Sequence, residues 1–153
     1  MLEQREGGCH CGRVRFRARV DLDLLFQCNC SICMKKGILH LPVAVEDFEL
    51  LCGKNALTVY TFGTGVAQHT FCSHCGMHAF YIPRLQPDRI TVNARCLDGI
   101  DGPSLEPIRF FDGRQWEDAQ HRLIAEGGHP TPAGLNGAVT LQRILERALR
   151  VRR

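Results

Sequence analysis

Cys28-Asn29-Cys30-Ser31-Ile32-Cys33 places three thiols within six residues. Two shorter groups flank it, Cys9-His10-Cys11 before and Cys72-Ser73-His74-Cys75 after. Together they take seven of the nine cysteines in a chain of 153 residues. Residues two apart in an extended strand point the same way, so each Cys-x-Cys offers both sulfurs on one face. Cys72-x-x-Cys75 with Gly76 behind it reads as a zinc knuckle, a turn that aims both sulfurs at one ion. One Cys-x-Cys is a weak signal, whereas the three groups together are a strong one. They predict a fold held by metal, built from short strands whose turns carry the ligands.

Nothing in the sequence argues for disulfides instead. Met1 to Gly8 is polar and lacks the apolar stretch of a secretory signal, and no apolar run approaches the length of a membrane span. A cytoplasmic location is expected, where thiols stay reduced and clustered cysteines serve metal. A structural zinc takes four protein ligands, and a reactive one takes three and keeps a position open. The two pairs therefore form a closed site from Cys9, Cys11, Cys72 and Cys75, and the triplet an open one from Cys28, Cys30 and Cys33. The alternative is that the triplet recruits a fourth ligand and both sites are structural. Cys52, Cys96, His40 and His69 are the candidates. Cys52 lies on an apolar strand and reads as a buried inert thiol. His10, His74 and His78 sit beside four ligands that already suffice, and read as supporting or solvated groups.

A hydrophobic share of 44% allows a sizeable core, and the length fits one domain. The formal net charge of +3 counts thiols as neutral. Zinc-bound thiols are deprotonated, so four thiolates with one Zn²⁺ carry two negative charges and three carry one. The metallated chain is then neutral, which speaks against nucleic acid as a partner.

Val14 to Val20 alternates apolar residues with Arg15, Arg17 and Arg19, the pattern of a strand with one buried and one basic face. That row is more often a solvated face than a binding surface. A second strand is expected to carry Phe26 and Cys28, and Lys35-Lys36-Gly37 to close a short turn or helix. Ile38 to Val45 reads as a strand near a sheet edge because of Pro42. Phe48 to Leu51 and Leu57 to Phe62 read as a hairpin around Gly53-Lys54-Asn55. Further strands are expected at Ala67 to Phe71, Ala79 to Ile82, Arg89 to Ala94 and Ile108 to Phe111, with Asp112-Gly113 a turn before Trp116. The fold class is thus mainly β. Residues 1–126 form the zinc-binding domain, and residues 127–153 a Gly/Pro linker with a C-terminal amphipathic helix. That helix docks either on the domain or on a second copy, which would make a homodimer.

The order of motifs resembles a known family. Gly7-Gly8-Cys9-His10-Cys11-Gly12-x-Val14-x-Phe16 opens it, and the Cys28 to Cys33 triplet follows. Leu50-Leu51-x-Gly53, Leu57-x-x-Tyr60 and His69-x-Phe71-Cys72-x-x-Cys75-Gly76 come next. Phe110-x-Asp112-Gly113-Arg114-x-Trp116-Glu117 completes the series. From Gly7 to Glu117 this resembles the glutathione-dependent formaldehyde-activating family, whose domain is shared with centromere protein V. The resemblance implies an Mss4-like fold of small antiparallel sheets stapled by zinc. It also implies the same division of the seven thiols into a structural and a second zinc site. The associated activity is addition of glutathione to formaldehyde, classed as carbon–sulfur lyase chemistry because the reverse cleaves a C–S bond. A thiol and an aldehyde are the implied small-molecule partners. Glutathione is anionic, so Lys35, Lys36 and Arg95 are candidate contacts, and His40 or His69 a candidate to move the proton. A thiol carrier without catalysis, or a zinc-stapled interaction module, is the competing expectation.

Overall fold

The computed structural model describes residues 1–107, 109–128 and 134–150. Among these residues the chain forms ten strands and three helices. The first five strands are β1 (Glu3–Gly8), β2 (Arg15–Val20), β3 (Phe26–Cys28), β4 (His40–Ala44) and β5 (Phe48–Cys52). The rest are β6 (Leu57–Tyr60), β7 (His69–Cys72), β8 (Phe80–Tyr81), β9 (Arg89–Asn93) and β10 (Arg109–Phe111). The helices are α1 (Ser31–Lys36), α2 (Trp116–Ala125) and α3 (Gly137–Arg150). The expected class is present: small, mostly antiparallel sheets with a C-terminal helix. One sheet has the order β1-β2-β5, a second β10-β3-β4-β9-β8, and β6 pairs β7 in a two-stranded ribbon. Strand β10 runs parallel to β3, and the other pairings are antiparallel.

The core lies between the two larger sheets. Strand β2 buries Phe16, Ala18 and Val20 and turns its arginines outward. Phe16 stacks on Phe48 at 5.5 Å, and Phe48 meets Phe80 of the five-stranded sheet at 4.8 Å. The arginine row is ion-paired. Arg15 meets Asp98, Arg17 bridges Glu6 at 2.7 Å and Glu49 at 3.3 Å, and Arg19 reaches Asp47 at 3.3 Å.

The five-stranded sheet has two different faces. Residues alternate across a strand, and partners in register share a face. Leu41, Val43, Ile90, Val92 and Phe80 face the core. Cys28, His40, Asn93 and Tyr81 fall on the opposite face, fixed by the pairs Phe26↔His40, His40↔Asn93 and Tyr81↔Thr91. Strand β4 is therefore covered on both sides, which is why Ile38 to Val45 reads as a continuous apolar run.

Several expectations are corrected. Pro42 does not mark a sheet edge, because β4 lies between β3 and β9. Leu39 accepts from the Ala94 N–H, so alternate residues 40 and 42 direct their backbone towards β3. Pairing with β3 ends at Phe26↔His40, and the missing donor of Pro42 falls beyond it. The hairpin around Gly53 to Asn55 does not form, since β5 pairs β2 and β6 pairs β7. The chain makes a 3-10 turn at Lys54–Ala56 and passes from one sheet to the other. The polar lead-in is itself strand β1, whose Arg5 and Glu6 pair with Ala18 and Arg17 of β2. Helix α2 was not expected. Only Ala119 is buried in it, so it lacks a clear apolar stripe, although Glu117 and Asp118 suit its first turn. Arg84 holds it, stacked 3.6 Å over Trp116 and paired with Glu117 at 3.1 Å.

Helix α3 docks on its own chain. Leu141 and Ile144 enter the core beside β5, and the Gly137 N–H donates to Val66 O at 3.0 Å. The expected strand start at Ile108, part of the Gly/Pro linker and the tail at Arg152 and Arg153 lie outside the described residues. Among the described residues no helix is long and apolar enough to cross a membrane.

Candidate metal centres

Two groups of thiols converge among the described residues. The sulfurs of Cys9, Cys11, Cys72 and Cys75 all lie within 4.8 Å of one another, and so do those of Cys28, Cys30 and Cys33. In the tetrad, Cys9 and Cys11 sulfurs are 3.6 Å apart, and Cys11 and Cys72 are 3.7 Å apart. A zinc tetrahedron with Zn–S of about 2.3 Å has an S···S edge of about 3.8 Å. The tetrad therefore fits that ion in number, softness and spacing.

Backbone geometry explains the fit. Cys9 N–H donates to Val14 O at 2.9 Å, and the Val14 N–H reaches Cys9 Sγ at 3.2 Å. On the other arm, Gly76 takes φ 74°, and its N–H donates to Cys72 O at 2.8 Å. That left-handed turn is open to glycine at little cost. The backbone N–H of Arg13 lowers Cys11 to about 6, while burial raises Cys9 to about 11. A bound divalent cation would draw all four as thiolates.

The triad is assembled by β3, the following turn and helix α1. Cys30 is the N-cap of α1 and accepts from the Cys33 N–H at 3.5 Å, and the Cys30 N–H reaches Cys28 Sγ at 3.4 Å. Its hydrogen bond with Cys28 lowers Cys30 to about 2, and bonds to both neighbours push Cys33 upward.

The turn after β10 clamps this loop. Asn29 donates from Nδ2 to Asp112 Oδ1 at 2.9 Å and accepts from the Arg114 N–H at 3.2 Å. Gly113 packs so closely that a Cβ there would lie 2.6 Å from Cys28 Sγ and 2.7 Å from Cys30 Cβ. These roles of Asn29, Asp112 and Gly113 are absent from the sequence reading, where Asp112-Gly113 is only a turn.

None of the four candidate fourth ligands joins the triad; no other Cys, His, Asp or Glu among the described residues closes its ligand set. Cys52 bonds to Arg13 O, and Cys96 to His78 O at 3.7 Å, both away from the triad. His40 and His69 stand around it on the non-core face of the sheet. Phe26 stacks on His40 at 4.7 Å, and Tyr81 stacks on His69 at 5.4 Å. His69 stacks outward on Phe62 at 5.4 Å, and Phe62 in turn on Tyr60 at 5.7 Å. Burial lowers both His40 and His69 to about 4.

The three candidate cations are placed differently. Lys36 is half-buried, with Nζ 3.2 Å from His69 Nδ1 and 5.8 Å from the Tyr81 ring centre. Burial lowers it to about 8, against the attraction of Cys33 and Cys30. Lys35 is exposed on α1. Arg95 is also exposed and donates from Nε to Gly37 O at 3.1 Å, bracing the end of α1. Of the other histidines, His10 and His74 are exposed, and His78 bonds to Thr70 O at 3.0 Å.

Comparison with known proteins agrees with this picture. The family described as "Glutathione-dependent formaldehyde-activating enzyme" matches residues 4–111. A crystal structure of a Rhodobacter sphaeroides protein is similar, with 30% identity and a TM-score of 0.65, over 69% of this chain and 98% of that one.

Proposed function

The chain belongs to the glutathione-dependent formaldehyde-activating family, and from that membership we propose that it adds a thiol such as glutathione to formaldehyde or a related aldehyde, and releases it in reverse. This is zinc-dependent carbon–sulfur lyase chemistry. The observation that carries it is the triad of Cys28, Cys30 and Cys33, three converging sulfurs with no fourth protein ligand among the described residues. The tetrad of Cys9, Cys11, Cys72 and Cys75 is the site of a structural zinc.

Cys28, Cys30 and Cys33 would hold a zinc ion, and that ion when bound would supply the positive charge that favours a thiol in its thiolate form. The chain's own residues do the rest. Cys28, Cys30 and Cys33 would fix the place of the thiol on the non-core face of the sheet, and proximity to the aldehyde would supply much of the rate. Addition forms one S–C bond and turns the carbonyl C=O into C–OH. The thiol proton ends on that oxygen, so no oxidant or reductant is needed. Lys36 and His69, 3.2 Å apart, would take and return the proton. Lys35 and Arg95 lie exposed on and beside α1, where their charge would favour the carboxylates of glutathione.

Exchange NMR of glutathione with formaldehyde tests the proposal. Protein at about one hundredth of the substrate is expected to raise the exchange rate through many turnovers, and Cys30→Ser to abolish the effect. Binding of glutathione without turnover would make the chain a carrier. No acceleration at any protein concentration would remove the reading for this substrate pair.

A further inference from the structure

His40 is fully buried, at 0% exposure, and its Nε2 has no hydrogen-bond partner in the structure. Buried polar atoms are paired in the large majority of cases, and an unpaired one costs about 1–3 kcal/mol. The ring has no easy way to relieve this. Phe26 stacks on it at 17° between planes, Nδ1 is bonded to Tyr81 Oη at 2.9 Å, and the residue sits on β4 inside the five-stranded sheet. An imidazole held so firmly with one free nitrogen is shaped for a partner that arrives from outside.

The register says where that partner lies. His40 opposes Phe26, and Cys28 is two residues further along the same face of β3. Such diagonal neighbours lie about 7–8 Å apart, with their Cβ atoms somewhat closer, within reach of long side chains. His40 also feels the charge of Cys30, yet its nitrogens are not among the converging ligand atoms. It borders the triad without belonging to it.

We propose that His40 Nε2–H is the hydrogen-bond donor for the aldehyde oxygen, and for the hydroxyl of the adduct, beside the Cys28–Cys30–Cys33 centre. This rests on the reading of that centre as a thiol–aldehyde site. The tautomer follows from the neighbours. Tyr81 is buried and keeps its proton, and with its hydroxyl 2.9 Å from His40 Nδ1 the phenol O–H is the donor to that nitrogen. The hydrogen of the neutral ring then sits on Nε2, where the negative thiolates favour a donor over a lone pair. As sulfur attacks carbon, the C=O electron pair moves to oxygen, and the bond from Nε2–H strengthens as that charge grows. A donor fixed in advance by Phe26 and Tyr81 needs no reorganisation at that moment.

Two measurements test this. Removing one such donor costs about 10²–10³ in kcat, so His40→Ala is expected to lose about that factor while metal content and glutathione affinity stay unchanged. His40→Gln, which keeps an N–H, should recover part of it. In the wild-type protein with ¹⁵N-labelled histidine, the His40 Nε2–H resonance should stay in place with glutathione alone and shift when formaldehyde is added too. Wild-type rates in both variants would overturn the proposal. So would a shift with glutathione or zinc alone, or none with the aldehyde; the NMR arm decides the matter even if the variants fail to fold. A wild-type protein that accelerates nothing would instead sink the functional reading beneath it.

Discussion

At the residue scale, Gly113 shows how little slack the triad has. It takes an ordinary backbone conformation, so glycine is present there for space. Ala would place a methyl carbon 2.6 Å from Cys28 Sγ and 2.7 Å from Cys30 Cβ, and the sulfurs would have to move. Gly113→Ala is expected to lose the triad's metal and keep the tetrad's, so that metal analysis falls by about half. His69 yields a second expectation. Burial holds its folded pKa at about 4 against an ordinary 6.5. Between those values the unfolded chain takes up a proton and the folded chain does not, so stability falls as pH drops from about 6.5 towards 4. The slope is at most about 1.4 kcal/mol per pH unit for this one group. In urea unfolding, His69→Gln should show a shallower loss of stability between pH 7 and 5 than wild type. Identical slopes would mean that His69 is not held neutral. The thiols themselves are legible in the sequence, because ligands for soft metals come from few residue types at short spacings. His40 is not, because a histidine inside Ile38 to Val45 looks the same from sequence whether it is buried idly or aimed at a site.

At the element scale, legibility follows the alternation of burial. Strand β2 announces itself because its arginines stay outside and pair with Glu6, Glu49, Asp47 and Asp98. Strand β4 does not alternate, since its second face is closed at His40 by Phe26 and Tyr81 rather than by water. That is why the role of its polar residue and the tolerance of Pro42 both escape a period count. Helix α2 is hidden for the opposite reason, as it buries almost nothing. Helix α3 is legible from Leu141, Ile144 and Leu145 at helical spacing, but the surface it covers is not. Ile144 is 2% exposed against the core, so Ile144→Ala should cost about 2–5 kcal/mol in denaturant unfolding. A cost near zero would mean that α3 is an ornament on a domain complete without it.

At the scale of the whole molecule, the two thiol groups have different work under the proposed function, one holding the fold and one reacting. The tetrad ties a turn near the N-terminus to a knuckle 61 residues later, and so joins the ends of two different sheets. The triad is local, and β10 and its turn brace it from the far side of the chain. Metal affinity that closes a long loop is folding energy, whereas affinity at the triad is available to chemistry. Cys72→Ser is therefore expected to abolish cooperative thermal unfolding, and Cys30→Ser to retain it. Equal damage from both would make the triad structural too.

The most direct measurement is the sulfur count around zinc by X-ray absorption, with and without glutathione. Two zinc ions per chain with a closed tetrad and an open triad should average about 3.5 sulfurs each, rising to about 4 when a thiol fills the vacant position. A count already near 4 in the free protein, or one that stays at 3.5 under saturating glutathione, would contradict an open thiol-binding centre at Cys28, Cys30 and Cys33.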